Sequence, residues 1–278
     1  MISAQMVKEL RDKTGAGMAD CKKALDETQG DMQLAVEYLR KKGAASVSKR
    51  SDRAANEGLA LALTSADGKT GSLVEVNCET DFVGRNAEFV EFAHAISRAV
   101  LATGEAEGEA LWNYSLESKT LGNLRDEILA KFNEKIELRR AKYYTTSGTL
   151  VGYNHAGNKL AVMLEMSVDS ANDAQAGLMR DISMQIAAMN PLYVDRAQVK
   201  SDALDKEIEI YKEQAVNEGK SAEIAERIAK GRVEKYYQEN CLVEQSFVKD
   251  SAKTVGDVVK DIGADAKVVS FHRYFLGE

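Results

Sequence analysis

Apolar side chains recur at helical spacing through the first fifty residues, in three short runs separated by glycines. Met6, Val7 and Leu10 mark one face of a first helix, with Ser3 as its N-cap. Gly15-Ala16-Gly17 breaks it, because paired glycines supply backbone freedom that a helix interior wastes. Cys21, Ala24, Leu25 and Thr28 share a face of a second helix, which Gly30 ends. Asp31 caps a third, with Met32, Ala35, Val36 and Leu39 inward and Gly43 as its C′ residue. So small a unit has a thin core, and its spare apolar surface is a candidate docking face. Residues 44–56 are small, polar and locally basic (Lys49, Arg50, Arg53), the pattern of a tether or a solvated helix. The expected division is a three-helix domain over 1–45 and a linker over 46–56.

The period then drops to two. Leu59, Leu61 and Leu63 alternate, Asp67-Gly68 marks a turn, and Val74, Val76 and Cys78 alternate again, which predicts a hairpin. A helix follows from about Asn86, with Phe89, Phe92, Ala93, Ile96 and Val100 on one face. After a Gly/Glu-rich stretch holding Trp112 comes a second helix (Leu121, Leu124, Ile128, Phe132) and then a strand (Ile136, Leu138, Tyr143, Tyr144). The same order returns. Strands around Thr149–Tyr153 and Leu160–Val168 flank Ala156-Gly157-Asn158, and a helix with Leu178, Ile182, Ile186 and Met189 stops at Pro191. A short helix (Val255, Val258, Val259, Ile262) and the strand Val268–Phe275 close the second set. Leu73-Val74-Glu75-Val76 lines up with Met163-Leu164-Glu165-Met166. The expectation is an α+β protein with a duplicated β-β-α-α-β core and antiparallel sheets, one half over 57–146 and the other over 147–278. An insertion at about 200–240, rich in Glu, Lys and Ala, carries Leu204, Ile208, Tyr211, Ala215, Ile224, Ile228 and Val233. With Gly219 at its turn, it reads as a projecting antiparallel helical hairpin of coiled-coil type.

Composition narrows the function classes. The net charge of −7 and pI near 5.3 speak against direct nucleic-acid binding, which draws its affinity from Lys/Arg contacts to phosphates. The three cysteines, Cys21, Cys78 and Cys241, form no CxxC pair and suggest neither zinc nor a disulfide framework. No apolar run reaches the ~20 residues of a membrane span, and MISAQMVKEL is no secretory signal, so the cytoplasm is expected. His94, His155 and His272 occur singly, and no phosphate loop, nucleophile elbow or dinucleotide fingerprint is present. Neither an enzyme nor a cofactor is expected.

The segment Glu75–Val83 is the one that periodicity does not absorb. The strand ends near Cys78 and a turn starts at Thr80 or Asp81, which leaves Phe82 and Val83 on a loop. In one reading Phe82 folds back as a hydrophobic staple, with Asp81 or Asn86 capping the helix; propensity alone favours this. In the other, an aromatic beside a carboxylate on a rigid strand-to-helix turn is an exposed anchor that enters a partner's pocket.

Leu10-Arg11-Asp12-Lys13-Thr14-Gly15-Ala16-Gly17-Met18, running on to Asp20-Cys21-Lys22-Lys23-Ala24-Leu25, resembles the N-terminal signature of the elongation factor Ts family. Glu75 through Val83 resembles that family's second signature. Further similarity lies in Tyr153-Asn154-His155, in Ile224 through Arg232 and in Leu242 through Asp250. The resemblance implies a ubiquitin-associated-like N-terminal domain, two related α+β halves, a projecting hairpin, and exchange of GDP on the GTPase elongation factor Tu. It implies that Thr80, Asp81, Phe82 and Val83 form a wedge into the GTPase domain that disturbs its Mg²⁺ site. It further implies that Leu10, Arg11, Met18 and Lys22 dock on the same domain, and that the half holding His155 meets another. Self-association is a further possibility for the hairpin. Gly84 stands where the family usually has Ala or Ser, Ser246 where it has Pro, and Ala161 where it has Gly. Residues 103–118 are unlike the family.

Three other functions compete. An adaptor for ubiquitin-like partners has no need of the Thr80–Val83 loop. An enzyme using Glu79, Asp81 and His155 needs them in one pocket. An RNA-associated ribosomal factor runs against the acidic charge.

Overall fold

The computed structural model describes residues 2–47, 50 and 52–278. Three helices come first: α1 (Ala4–Thr14), α2 (Met18–Glu27) and α3 (Met32–Val47). The Ser3 hydroxyl accepts from the Met6 N–H, Asp31 accepts from the N–H groups of Gln33 and Leu34, and Gly15 closes α1 at φ 68°. Val7, Leu10, Cys21, Ala24, Leu25, Ala35 and Leu39 fill the small core between them. Gly43 does not end α3, which runs on to Val47. Arg50, read as part of a tether or a solvated helix, is instead buried, and donates to the carbonyls of Phe132 (3.0 Å) and Glu134 (2.7 Å). Helices α1 and α3 lean on the first core half.

That half comprises β1 (Glu57–Thr64), β2 (Thr70–Cys78), α4 (Asp81–Gly84), α5 (Ala87–Thr103), α6 (Glu109–Trp112), α7 (Leu121–Lys131) and β3 (Glu137–Thr145). The second comprises β4 (Thr149–Asn154), β5 (Leu160–Met166), α8 (Asp173–Met189), α9 (Ser201–Asn217), α10 (Ala222–Asn240), β6 (Ser246–Phe247), β7 (Asp250–Thr254), α11 (Val255–Ile262) and β8 (Val268–Phe275). The fold is α+β, with antiparallel sheets ordered β1-β2-β3 and β4-β5-β8. Two departures from the sequence expectation matter. Asp81–Gly84 is a helical turn rather than loop, and Ser246–Thr254 adds an unforeseen small hairpin.

The duplication extends to register. The pairing with β3 slips between Glu75 and Val76, and the pairing with β8 slips between Glu165 and Met166. Opposite these bulges, a Cβ on Gly58 would collide with the Val76 carbonyl oxygen, and one on Gly148 with that of Met166. Each sheet covers one face with its own core. Leu61, Val74, Val76, Phe89, Phe92, Ile96 and Ile128 pack in the first half; Val162, Leu164, Ile182, Ile186, Val258 and Ile262 pack in the second. Burial of each large side chain contributes about 1.5–3 kcal/mol. The other faces meet through Ala60, Ala62, Leu73, Tyr144, Leu150, Ala161 and Met163, where small side chains allow close approach.

Helices α9 and α10 pair with each other, and Gly219 turns between them at φ 81°. Ala215, Ala225 and Ala229 are buried in this hairpin, whereas Ile224 is exposed. Arg232 donates to the Gln214 side chain and lies over the Tyr211 ring. In α8, Met189 is exposed rather than packed inward.

Candidate functional site

The turn after β2 is built from two carboxylates that serve main-chain donors. Glu134 accepts from the N–H groups of Glu79 (3.1 Å) and Thr80 (3.0 Å) and from the Thr80 hydroxyl (2.6 Å). In return Glu79 accepts from the Lys135 N–H (2.5 Å) and from Arg53 (3.2 Å). The Lys135 N–H, followed by Arg53, holds the Glu79 carboxyl below its usual range. The Cys78 thiol donates to the Thr80 carbonyl, and burial pushes its pKa up to about 12, so it is a packed thiol and not a reactive one. Thr80 then caps the helical turn, its hydroxyl accepting from the Val83 N–H, and Asn86 caps α5 through the Glu88 N–H.

On this braced turn the four sequence-derived residues divide. Val83 is buried in the first core. The Thr80 side chain is spent on Glu134 and on the cap. Asp81 is partly exposed and pairs with Arg85 at 2.9 Å. Phe82 is 84% exposed and touches no core cluster among the described residues. The staple reading of Phe82 therefore fails, and the exposed-anchor geometry is the one present. Nothing local supplies a pocket for the ring, because Val83, next in the turn, takes the inward position.

The N-terminal candidates divide in the same way. Leu10 is a core residue, while Arg11, Met18 (46% exposed) and Lys22 face solvent around the α1–α2 junction. His155 is exposed on the β4–β5 turn, its Nδ1 2.9 Å from the Tyr153 hydroxyl. That turn is pinned to the first half: the Asn154 amide accepts from Ala62 N–H (2.7 Å) and donates to Ala62 carbonyl (2.9 Å). Ala60 N–H also donates to Asn158 carbonyl at 2.7 Å. Glu134, Arg53 and Asn154 are positioning residues that sequence reasoning missed. Glu134 lies 54 residues from Thr80 and Asn154 lies 92 from Ala62, so no local pattern announces either.

Among the described residues no hydrogen bond joins Glu79, Asp81 and His155, and no group of three His, Cys, Asp or Glu is placed to hold a metal. A groove of about 530 Å³ between the N-terminal helices and α5–α7 is lined by charges already paired with each other, such as Lys131 with Glu88 and Lys119 with Glu127. No helix among the described residues is long and apolar enough to cross a membrane.

Residues 79–278 match the family model described as Elongation factor TS. The chain is 47% identical to the Elongation factor Ts of Chloroherpeton thalassium, with 100% of this chain and 99% of that protein aligned. It is 45% identical to the Elongation factor Ts of Clostridium botulinum, over 100% of this chain and 93% of that one. For the Clostridium kluyveri protein of the same name the identity is 44%, over 100% and 94%. With the family model covering most of the sequence and these relatives aligned along all of it, the chain belongs to the elongation factor Ts family.

Proposed function

We propose that the protein is a guanine nucleotide exchange factor for elongation factor Tu, and that Phe82 is the group that opens the nucleotide site. The observation that carries the reading is an aromatic ring 84% exposed on a turn whose every other side chain is packed, capped or paired. An exposed ring on a pre-ordered turn loses little conformational entropy on docking. Insertion of the turn between helices of the GTPase domain displaces the ligands of its Mg²⁺. Because Mg²⁺ offsets phosphate charge, nucleotide affinity then falls. The coupling is reciprocal: a factor that binds the nucleotide-free state best weakens GDP as much as GDP weakens the factor. No bond is made or broken, and an excess of GTP sets the direction.

In this reading the parts of the chain divide the labour. The 1–45 helices dock through Arg11, Met18 and Lys22, with Leu10 holding the helices together beneath them. The segment from the end of α3 to residue 56 connects them to the core, the 57–146 half carries the wedge, and the 147–278 half makes a second contact around His155. The reaction belongs to translation elongation in the cytoplasm.

Stopped-flow release of a fluorescent GDP analogue from elongation factor Tu tests this. Wild type accelerates release. Phe82→Ala removes a side chain whose burial is worth about 2–3 kcal/mol, and so lowers the acceleration roughly 30- to 150-fold. Its melting temperature stays near the wild-type value, since the ring lies mostly in solvent. No acceleration by wild type refutes the exchange reading; full acceleration by Phe82→Ala moves the wedge elsewhere.

A further inference from the structure

One face of β2, with the turn that follows it, touches three separate parts of the molecule. Leu73, Glu75 and Asn77 alternate along it, opposite the Val74, Val76 and Cys78 that enter the first core, and Glu79 continues the alternation one residue past the strand's end. Leu73 packs between the halves. Glu75 is fully buried; it accepts from Arg140 Nε at 2.6 Å and from the Gly277 N–H at 3.3 Å, with Arg139 Nε at 3.9 Å. Arg140 in turn donates to the Phe275 carbonyl at 3.2 Å and lies 4.0 Å over the Tyr274 ring, and Arg139 donates to the Glu278 carbonyl at 3.1 Å. Asn77 donates to the Ala55 carbonyl at 3.0 Å. Glu79 meets Arg53 and Lys135 at the root of the Phe82 turn. A single strand face thus holds the end of the second half, the segment arriving from the N-terminal helices, and the wedge.

A buried carboxylate is an expensive way to stabilise a sheet, since desolvation cancels most of the attraction to its partner. What it adds is a fixed direction, through charge-assisted hydrogen bonds to a planar guanidinium. Glu165, at the matching bulge, shows what the position needs for folding alone: it accepts from the Thr146 and Ser270 hydroxyls, and among the described residues no arginine pairs with it. We infer that Glu75, with Arg140, is a positioning residue for exchange, fixing the angle between the Phe82 turn and the second half so that both engage the GTPase together. The inference rests on the exchange reading above. Two contacts on one rigid body reinforce each other only while their geometry permits simultaneous engagement.

The test is a double-mutant cycle on affinity for the nucleotide-free GTPase, using Glu75→Gln, Phe82→Ala and the double variant. Glu75→Gln weakens binding about tenfold in the wild-type background and less than twofold beside Phe82→Ala, where no wedge remains to align. Equal weakening in both backgrounds, or none in either, overturns the inference, because a general loss of folded protein acts on both alike. Arg140→Lys keeps the charge but loses the fork, follows the same pattern, and serves if Glu75→Gln folds poorly. In the free protein, spin labels at Arg85→Cys and Ala156→Cys report the angle directly. Their distance distribution broadens in Glu75→Gln, and an unchanged distribution overturns the inference. If wild type fails to bind the GTPase, the exchange reading falls, while the label distances still judge whether Glu75 and Arg140 fix that angle.

Discussion

The two core halves share a plan down to individual caps and differ at the turn that carries Phe82. Asn86 caps α5 and Asn172 caps α8; Thr120 caps α7 and Thr254 caps α11. Both central strands carry a glutamate at the bulge and face a glycine across it. Yet the second half passes from its bulge to its asparagine cap without the helical turn Asp81–Gly84. Phe82 therefore sits on an addition to the plan rather than on a shared part of it. Val83 and Gly84 of the addition are buried against the first core, and Phe82 alone projects from it. The long insertion of the second half, α9 and α10, is likewise outside the repeat, and packs mainly on itself.

The duplicated bulges offer the largest effect with which to break this equivalence. Gly58→Ala sets a methyl against the Val76 carbonyl at φ 135°, so overpacking and backbone strain add to about 2–5 kcal/mol of lost stability. Gly148→Ala has the clash without a positive φ and costs about 1–3 kcal/mol. Urea midpoints measure both; equal losses would mean that the left-handed backbone at Gly58 contributes nothing. Next come the caps. Asn86→Ala and Asn172→Ala each cost about 1 kcal/mol. The second costs more, because Asn172 closes a capping box with Gln175, whose amide also donates to the Ile262 carbonyl. Thermal melts of the two variants rank them, and a larger loss at Asn86 would reverse the order argued here.

Periodicity made most elements legible, because each strand and long helix buries one face and so writes its own repeat. The Leu59–Cys78 hairpin, the helix capped by Asn86 and the closing strand Val268–Phe275 all stand where their spacing puts them. Gly43 misled because a glycine at C′ stops a helix only when the chain turns there, and α3 continues. The β6–β7 hairpin was illegible: it is short and is held by Gln185, which donates to Gln245 and Ser246 and accepts from Val248 across more than fifty intervening residues. Phe82 was legible as odd, but its exposure was not, since propensity favours turning such a ring inward and only the inward place of Val83 decides otherwise. The braces at Glu134 and Asn154 are contacts between distant segments, which leave no trace in local sequence.

The smallest expected effect sharpens what the added turn requires. Gly84 follows Val83 in that turn, and a glycine in a helical turn invites the idea that the turn is loosened for function. The surroundings argue otherwise. Gly84 is buried; its N–H donates to the Thr80 carbonyl at 3.1 Å, and a Cβ there would meet Gly58 and Cys78 Sγ at 3.5–3.6 Å, ordinary contact with nothing to displace. Gly84→Ala therefore fits, and by restricting the unfolded chain it adds about 0.4–1 kcal/mol of stability. If the turn acts as a rigid presenter of Phe82, GDP release accelerated by Gly84→Ala stays within about twofold of wild type while the melting temperature rises by roughly 1–4 °C. A several-fold loss of exchange at raised stability would instead show that motion at Gly84 is part of insertion, and that the added turn works as a hinge.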